Sequence, residues 1–161
     1  MKHYFSYWND STHPGLFSVA YEAAGGEPDE ALQPQAAIAM MAAGFDVHDD
    51  IIDESEQKHG VPTVFGKYGR KITLLLGNAF LIKGFTFFCI SIEELDLEKL
   101  REVVEVLQRS LFELGNAHAL ELDLRERTNA ELGEYMRGVE MKAASIEGDM
   151  RIGAIIGGGD T

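Results

Sequence analysis

Cysteine is nearly absent: Cys89 is the only one among 161 residues. No intramolecular disulfide can form, so a reducing cytoplasm is the compartment expected. Positive charge is scarce too, with 14 Lys and Arg against 27 Asp and Glu and a formal net of −13. A surface of that sign repels phosphate backbones and anionic lipid heads, which argues against nucleic acid as a partner. No signal peptide is expected at the start of the chain. No clean transmembrane segment is found either. The run ITLLLGNAFLIKGFTFFCISI, from Ile72, has the length of a span, but Asn78, Lys83 and two glycines interrupt it. A buried helix is expected there instead. Strand signals are missing throughout.

What is present is helical spacing, punctuated by glycine, proline and capping residues. A first helix is expected over about Pro14 to Ala24, stopped by Gly25 and Gly26. A second starts near Pro34, where proline's fixed φ suits a first helical turn, and runs to about Ser55. The segment KHGVPTVFGKYG then breaks the pattern twice. A third helix covers about Arg70 to Ile90 and a fourth about Asp96 to Arg127, with Leu97, Leu100, Val104, Leu107, Leu111 and Leu114 on its buried face. Thr128 and Glu131 read as a capping box for a fifth, whose apolar positions are Leu132, Tyr135, Met136, Val139, Ile146 and Met150. GGGDT closes the sequence. About five helices without a linker make one all-α domain over residues 1–161.

The stretch DVHDDIIDES, residues 46–55, is chemically the most pointed. Asp49 and Asp53 stand four apart, as do Asp46 and Asp50, so each pair stacks one turn from the other on a helix. Like charges at that spacing cost roughly 0.2–0.5 kcal/mol per pair. The negative end of the helix dipole makes them less welcome still. A divalent cation reverses the balance. Mg²⁺ takes a few carboxylate oxygens and completes its octahedron with water and phosphate oxygens, so Asp49, Asp50 and Asp53 fit a metal-bridged diphosphate. The bland alternative is a solvated acidic helix end. Against it stands the wall Ala36, Ala37, Ile38, Met40, Met41, Ala42, Ala43 and Phe45, apolar almost all round, which places the acids at the mouth of a greasy cavity. A substrate with a charged head and a hydrocarbon tail suits that arrangement. Phe45 and Met41, one and two turns before Asp49, would lie under such a tail, or be plain core residues.

HDDIIDES followed by KHGVPTVFGKYG and LLLGNAFLIKG resembles the first aspartate-rich motif and following segments of the trans-isoprenyl diphosphate synthases, the farnesyl and geranylgeranyl diphosphate synthase family. AHALELDL resembles that family's Gly-Gln-x-x-Asp-Leu segment, and EYMRGVEMKAAS its Tyr…Lys-Thr helix. The resemblance runs over about Pro14 to Ile156. It implies an all-α bundle of the isoprenoid (terpenoid) synthase type around a deep cavity, in which Mg²⁺ holds an allylic diphosphate. The diphosphate departs, and the double bond of isopentenyl diphosphate attacks the allylic cation. By position Asp49, Asp50 and Asp53 become metal ligands, Lys58 replaces the first arginine after the motif, and Lys142 is the lysine that contacts the allylic diphosphate.

Departures accompany the match. NDSTHP stands in place of Gly-Lys-x-x-Arg, with Asp10 for the lysine and His13 for the arginine. His59 replaces the second arginine of a substrate-binding pair, and imidazole offers neither permanent charge nor a bidentate fork. His118 falls on the family's glutamine and Ala143 on its threonine. The second aspartate-rich motif is not in the sequence, so roughly half of the usual fold is expected. A second copy related by a two-fold axis, or a full-length synthase, would then supply the facing carboxylates. The expectation is Mg²⁺-dependent prenyl transfer by such a homodimer or heteromer. The competing expectation is a non-catalytic regulatory subunit of a prenyltransferase.

Overall fold

A computed structural model describes residues 2–8 and 10–158. Asn9 of NDSTHP and the last three residues of the GGGDT tail lie outside the described residues. Five α-helices carry the described chain: α1 (Thr12–Ala23), α2 (Leu32–Ile52), α3 (Val64–Ser91), α4 (Leu97–Glu126) and α5 (Leu132–Ile156). Contacts divide it into two compact units, Met1–Gly15 with Leu32–Glu93 and Leu16–Ala31 with Glu94–Thr161.

In the first unit α2 and α3 pack in opposite directions through small residues. Met41 meets Gly84, Gly44 meets Leu81 and the His48 ring meets Gly77. A Cβ on Gly84 would stand 2.6 Å from Met41 Cγ, closer than packed atoms approach. Tyr4, Tyr7, Ala43, Val47, Val64 and Phe80 form the core, with Trp8, Val61 and Leu76 packed against it.

The segment after α2 holds a feature that the sequence pattern hides. Gln57–Lys58 pairs antiparallel with Val61–Pro62, two strands too short for any alternation to show. His59 (φ 52°) and Gly60 (φ 76°) turn between them in the left-handed region, as a two-residue primed hairpin turn requires. The Thr63 hydroxyl then donates to the Ser55 carbonyl at 2.6 Å and accepts from Gly66 N at 3.0 Å, capping α3. Helical geometry fails once inside α3, at Gly69 (φ 74°, ψ 170°), so its regular part begins at Arg70.

Thr73, Gly77, Phe80, Gly84 and Phe88 are the buried stripe of regular α3. The expectation of a buried helix needs correction. Leu75 and Ile82 are 64% and 67% exposed, and Ile72 is exposed beside them. Within this unit α2 covers one side of α3, and large apolar side chains remain on its uncovered sides. By length and composition α3 could cross a membrane, and 28% of its most apolar window is buried.

In the second unit α4 packs against α5. Its buried residues are Val103, Val106, Ser110 and Ala117; of the expected row Leu100, Leu107, Leu111 and Leu114 are half-buried, while Leu97 and Val104 are exposed. Side-chain size decides this. A Cβ on Gly148 would overlap the Ser110 hydroxyl, so the helices approach through their smallest residues and turn longer ones aside. On α5 the same shift leaves Leu132, Tyr135, Met136 and Val139 exposed and buries Gly148, Ile152, Gly153 and Ile155. The capping box also moves by one turn. Glu131 is the cap, and Glu134 Oε2 accepts from Glu131 N at 3.1 Å, which leaves Thr128 outside α5.

Phe17 and Tyr21 stack at 5.9 Å and are buried, with α5 glycines against their backbone. Gly153→Ala is expected to destabilise the chain by roughly 3 kcal/mol, because the added Cβ overlaps the Phe17 carbonyl oxygen and backbone yields less readily than a side chain. A thermal melt within a degree or two of the parent would refute this.

Candidate functional site

The acid run closes α2, and the helix sends its members to different sides. Neighbours in sequence diverge by about 100° on an α-helix, so Asp50 cannot face the way Asp49 does. Asp46 and Asp50 turn toward the hairpin, where Lys58 Nζ lies 2.6 Å from Asp46 Oδ1 and 2.8 Å from Asp50 Oδ1. Asp50 is buried, Asp49 half-buried and Asp53 exposed. The Asp53 amide still donates to the Asp49 carbonyl at 2.8 Å, so the last turn holds the two acids one above the other.

The N-terminal segment closes the far side of this network. Tyr4 is fully buried, and its hydroxyl lies 3.1 Å from Asp46 Oδ2 and 3.3 Å from the Ala43 carbonyl. Tyr7 accepts from Val64 N at 3.0 Å, which ties the segment to the start of α3. Burial, helped by the negative charge of Asp46, raises the Tyr4 pKa far above the usual phenol range. Burial by itself lowers the pKa of Lys58, but its hydrogen bonds to Asp46 and Asp50 and their charges outweigh this and raise it. Asp50 shares that one ammonium with Asp46. Burial therefore raises its pKa against the opposing pull of Lys58.

This sign gives a pH test. A carboxyl whose folded pKa lies above its unfolded value weakens the fold once ionised, and the penalty vanishes at pH below the unfolded value. Asp50→Asn is expected to raise Tm at pH 7 to 8, with the gain shrinking to nothing below about pH 4. A gain that does not depend on pH would rule out this account of Asp50.

The structure sorts the residues expected from sequence. Asp49 and Asp53 remain a pair one turn apart, while Asp50 is engaged by Lys58. Among the described residues no group of three His, Cys, Asp or Glu side chains is placed to hold a metal ion. Met41 is buried in the α2–α3 interface and Phe45 is half-buried. His59 sits exposed at the hairpin turn. His48 Nε2 is buried and has no hydrogen-bond partner among the described residues. Asp10 Oδ1 accepts from Thr12 N at 2.8 Å and so serves the start of α1.

On the second unit Lys142 pairs with Glu121, which Arg125 also reaches at 2.7 Å. The Lys142 hydrogen bond, foremost, holds the Glu121 carboxyl below its ordinary range. Sequence reasoning singled out Lys142 but not Glu121 or Asp46. The signal for Glu121 was present, since it occupies the acidic position of AHALELDL. Asp46 had none beyond its i, i+4 spacing to Asp50, because its partners come from the hairpin and the N-terminal segment.

Five long helices, joined by one hairpin with two-residue strands, make the described chain a protein of the all-α class. The polyprenyl synthetase family model matches residues 10–161, and the chain belongs to that family. The short chain isoprenyl diphosphate synthase of Methanothermobacter thermautotrophicus is 33% identical over 147 residues, covering 91% of this chain and 44% of that protein. The geranylgeranyl diphosphate synthase of Sulfolobus acidocaldarius is 26% identical, covering 97% and 48%. The crystal structure of a geranylgeranyl pyrophosphate synthetase from Pyrococcus horikoshii superposes with a TM-score of 0.83 at 30% identity, over 94% of this chain and 46% of that one. The chain thus spans about half the length of the relatives it matches.

Proposed function

We propose that this chain binds a prenyl diphosphate with Mg²⁺ at the end of α2 and takes part in trans-prenyl transfer, the joining of isopentenyl diphosphate to an allylic diphosphate. One observation carries the reading. The acid run is divided, with Asp50 neutralised internally by Lys58 while Asp49 and Asp53, one turn apart, form the more open pair. Two carboxylates suffice for Mg²⁺, which fills its other positions with water and phosphate oxygens. When bound, the ion supplies positive charge to the departing diphosphate. Asp49 and Asp53 would hold it, Lys58 would meet phosphate oxygens, and apolar walls would keep water from an allylic cation.

Further carboxylates facing this pair would come from a second copy or from a full-length synthase. The exposed positions Ile72, Leu75, Ala79 and Ile82 on α3, spaced three and four apart, support helix-to-helix association as the means. A second reading, a non-catalytic subunit, is favoured by Asp10, which serves as a helix cap, and by His59, set out at a turn. The deciding experiment incubates the chain with Mg²⁺, isopentenyl diphosphate and an allylic diphosphate, with light scattering on the same sample. A longer product supports transfer. No product with retained Mg²⁺-dependent binding leaves the subunit reading, and no such binding ends the proposal.

A further inference from the structure

We propose that Asp46 is an internal competitor for Lys58: its carboxylate occupies the ammonium that an incoming diphosphate would otherwise engage, and so sets how tightly the site takes an anionic substrate. This rests on the prenyl diphosphate reading above. Lys58 touches two carboxylates, and they are not equivalent. The Asp50 side chain is 0% exposed, so its pair with Lys58 belongs to the fold. Asp46 and Lys58 are 27% and 29% exposed and meet at the solvent edge, where a phosphate oxygen can reach the same ammonium.

Asp46 is also aimed. Tyr4 donates to Oδ2 at 3.1 Å, which turns Oδ1 to Lys58 at 2.6 Å. Tyr4 is itself fixed by rings on several sides, with Trp8 stacked at 5.4 Å and Phe80 at 5.3 Å. One cation held by two carboxylates leaves the cluster net negative, and Asp49 lies next along the helix. An anion therefore meets repulsion where a lone Lys58–Asp50 pair would present none. Asparagine at 46 is nearly isosteric, keeps an acceptor for Tyr4 and leaves the Lys58–Asp50 pair intact.

The test measures binding of inorganic diphosphate and of an allylic diphosphate, in Mg²⁺, to the parent chain, Asp46→Asn, Asp46→Ser and the charge-preserving Asp46→Glu, with circular dichroism to confirm folding. Asp46→Asn and Asp46→Ser are expected to bind about tenfold tighter, the scale for removing one like charge a few ångströms away in part-exposed surroundings. Asp46→Glu should stay near the parent. Acetylation of Lys58, followed by mass spectrometry without any diphosphate, should be faster in Asp46→Asn. If the parent binds and the neutral variants bind equally or more weakly, the competitor role is overturned while the functional reading stands. If neither parent nor variants bind, both fall.

Discussion

Asp49→Asn combined with Asp53→Asn is expected to weaken Mg²⁺-dependent binding of an allylic diphosphate by at least about 100-fold, since these are the proposed ligands themselves and even supporting residues around a metal are worth 10- to 100-fold. Titration calorimetry at millimolar Mg²⁺, run beside a metal-free control, reads the effect. The fold should survive the change. Two like charges one turn apart repel by roughly 0.2–0.5 kcal/mol, and both stand at the negative end of the α2 dipole, so their removal favours the helix. Binding is expected to fall while Tm holds. A purely structural role would show the reverse, a lower Tm with whatever affinity the parent had. Equal Mg²⁺-dependent binding in parent and double variant would take the metal away from this pair.

Lys58→Met is expected to lower stability by roughly 3 kcal/mol, because it leaves Asp50 buried with no cation to offset it. The figure belongs to the lower part of the range for broken buried pairs, since Lys58 itself is 29% exposed. Adding Asp50→Asn should restore most of the loss. That rescue is the sharper part, as it separates an uncompensated buried charge from lost packing of the lysine stem. Denaturant melts of the parent, both single variants and the double variant close the cycle. Additive losses in the double variant would show that the pair does not act as a unit. Asp46 stays near the solvent edge in every case, so it cannot stand in as the cause.

The positions of the helices were legible because each is long, periodic and bounded by a residue with local chemistry: Gly25 and Gly26 after α1, Asp96 ahead of α4. Asp96 Oδ1 accepts from Glu98 N and Lys99 N, each at 3.0 Å, a cap that needs nothing beyond its own turn. The choice of buried face was not legible in the same way. A leucine row on α4 looks like a core stripe, yet Val103, Val106 and Ser110 point inward, because Gly148 on α5 admits only a close approach there. The hairpin at Lys58 escaped notice since strands of two residues carry no period. The acid run was read as one ligand set of three. Helix geometry divides it, and Lys58, from outside the helix, takes Asp50.

Sequence alone determined which segments are helical, where acid accumulates on α2, and the family to which that pattern points. These follow from local spacing and turn chemistry, which act within a few residues. Tertiary structure decided which acid pairs with a lysine twelve positions away, that Tyr4 holds Asp46 from forty-two positions away, and that Lys142 finds Glu121. A buried carboxyl takes its charge state and role from whichever groups surround it. Those groups come from separate stretches of chain, brought together by glycine-lined contacts whose approach distance no one-dimensional pattern records.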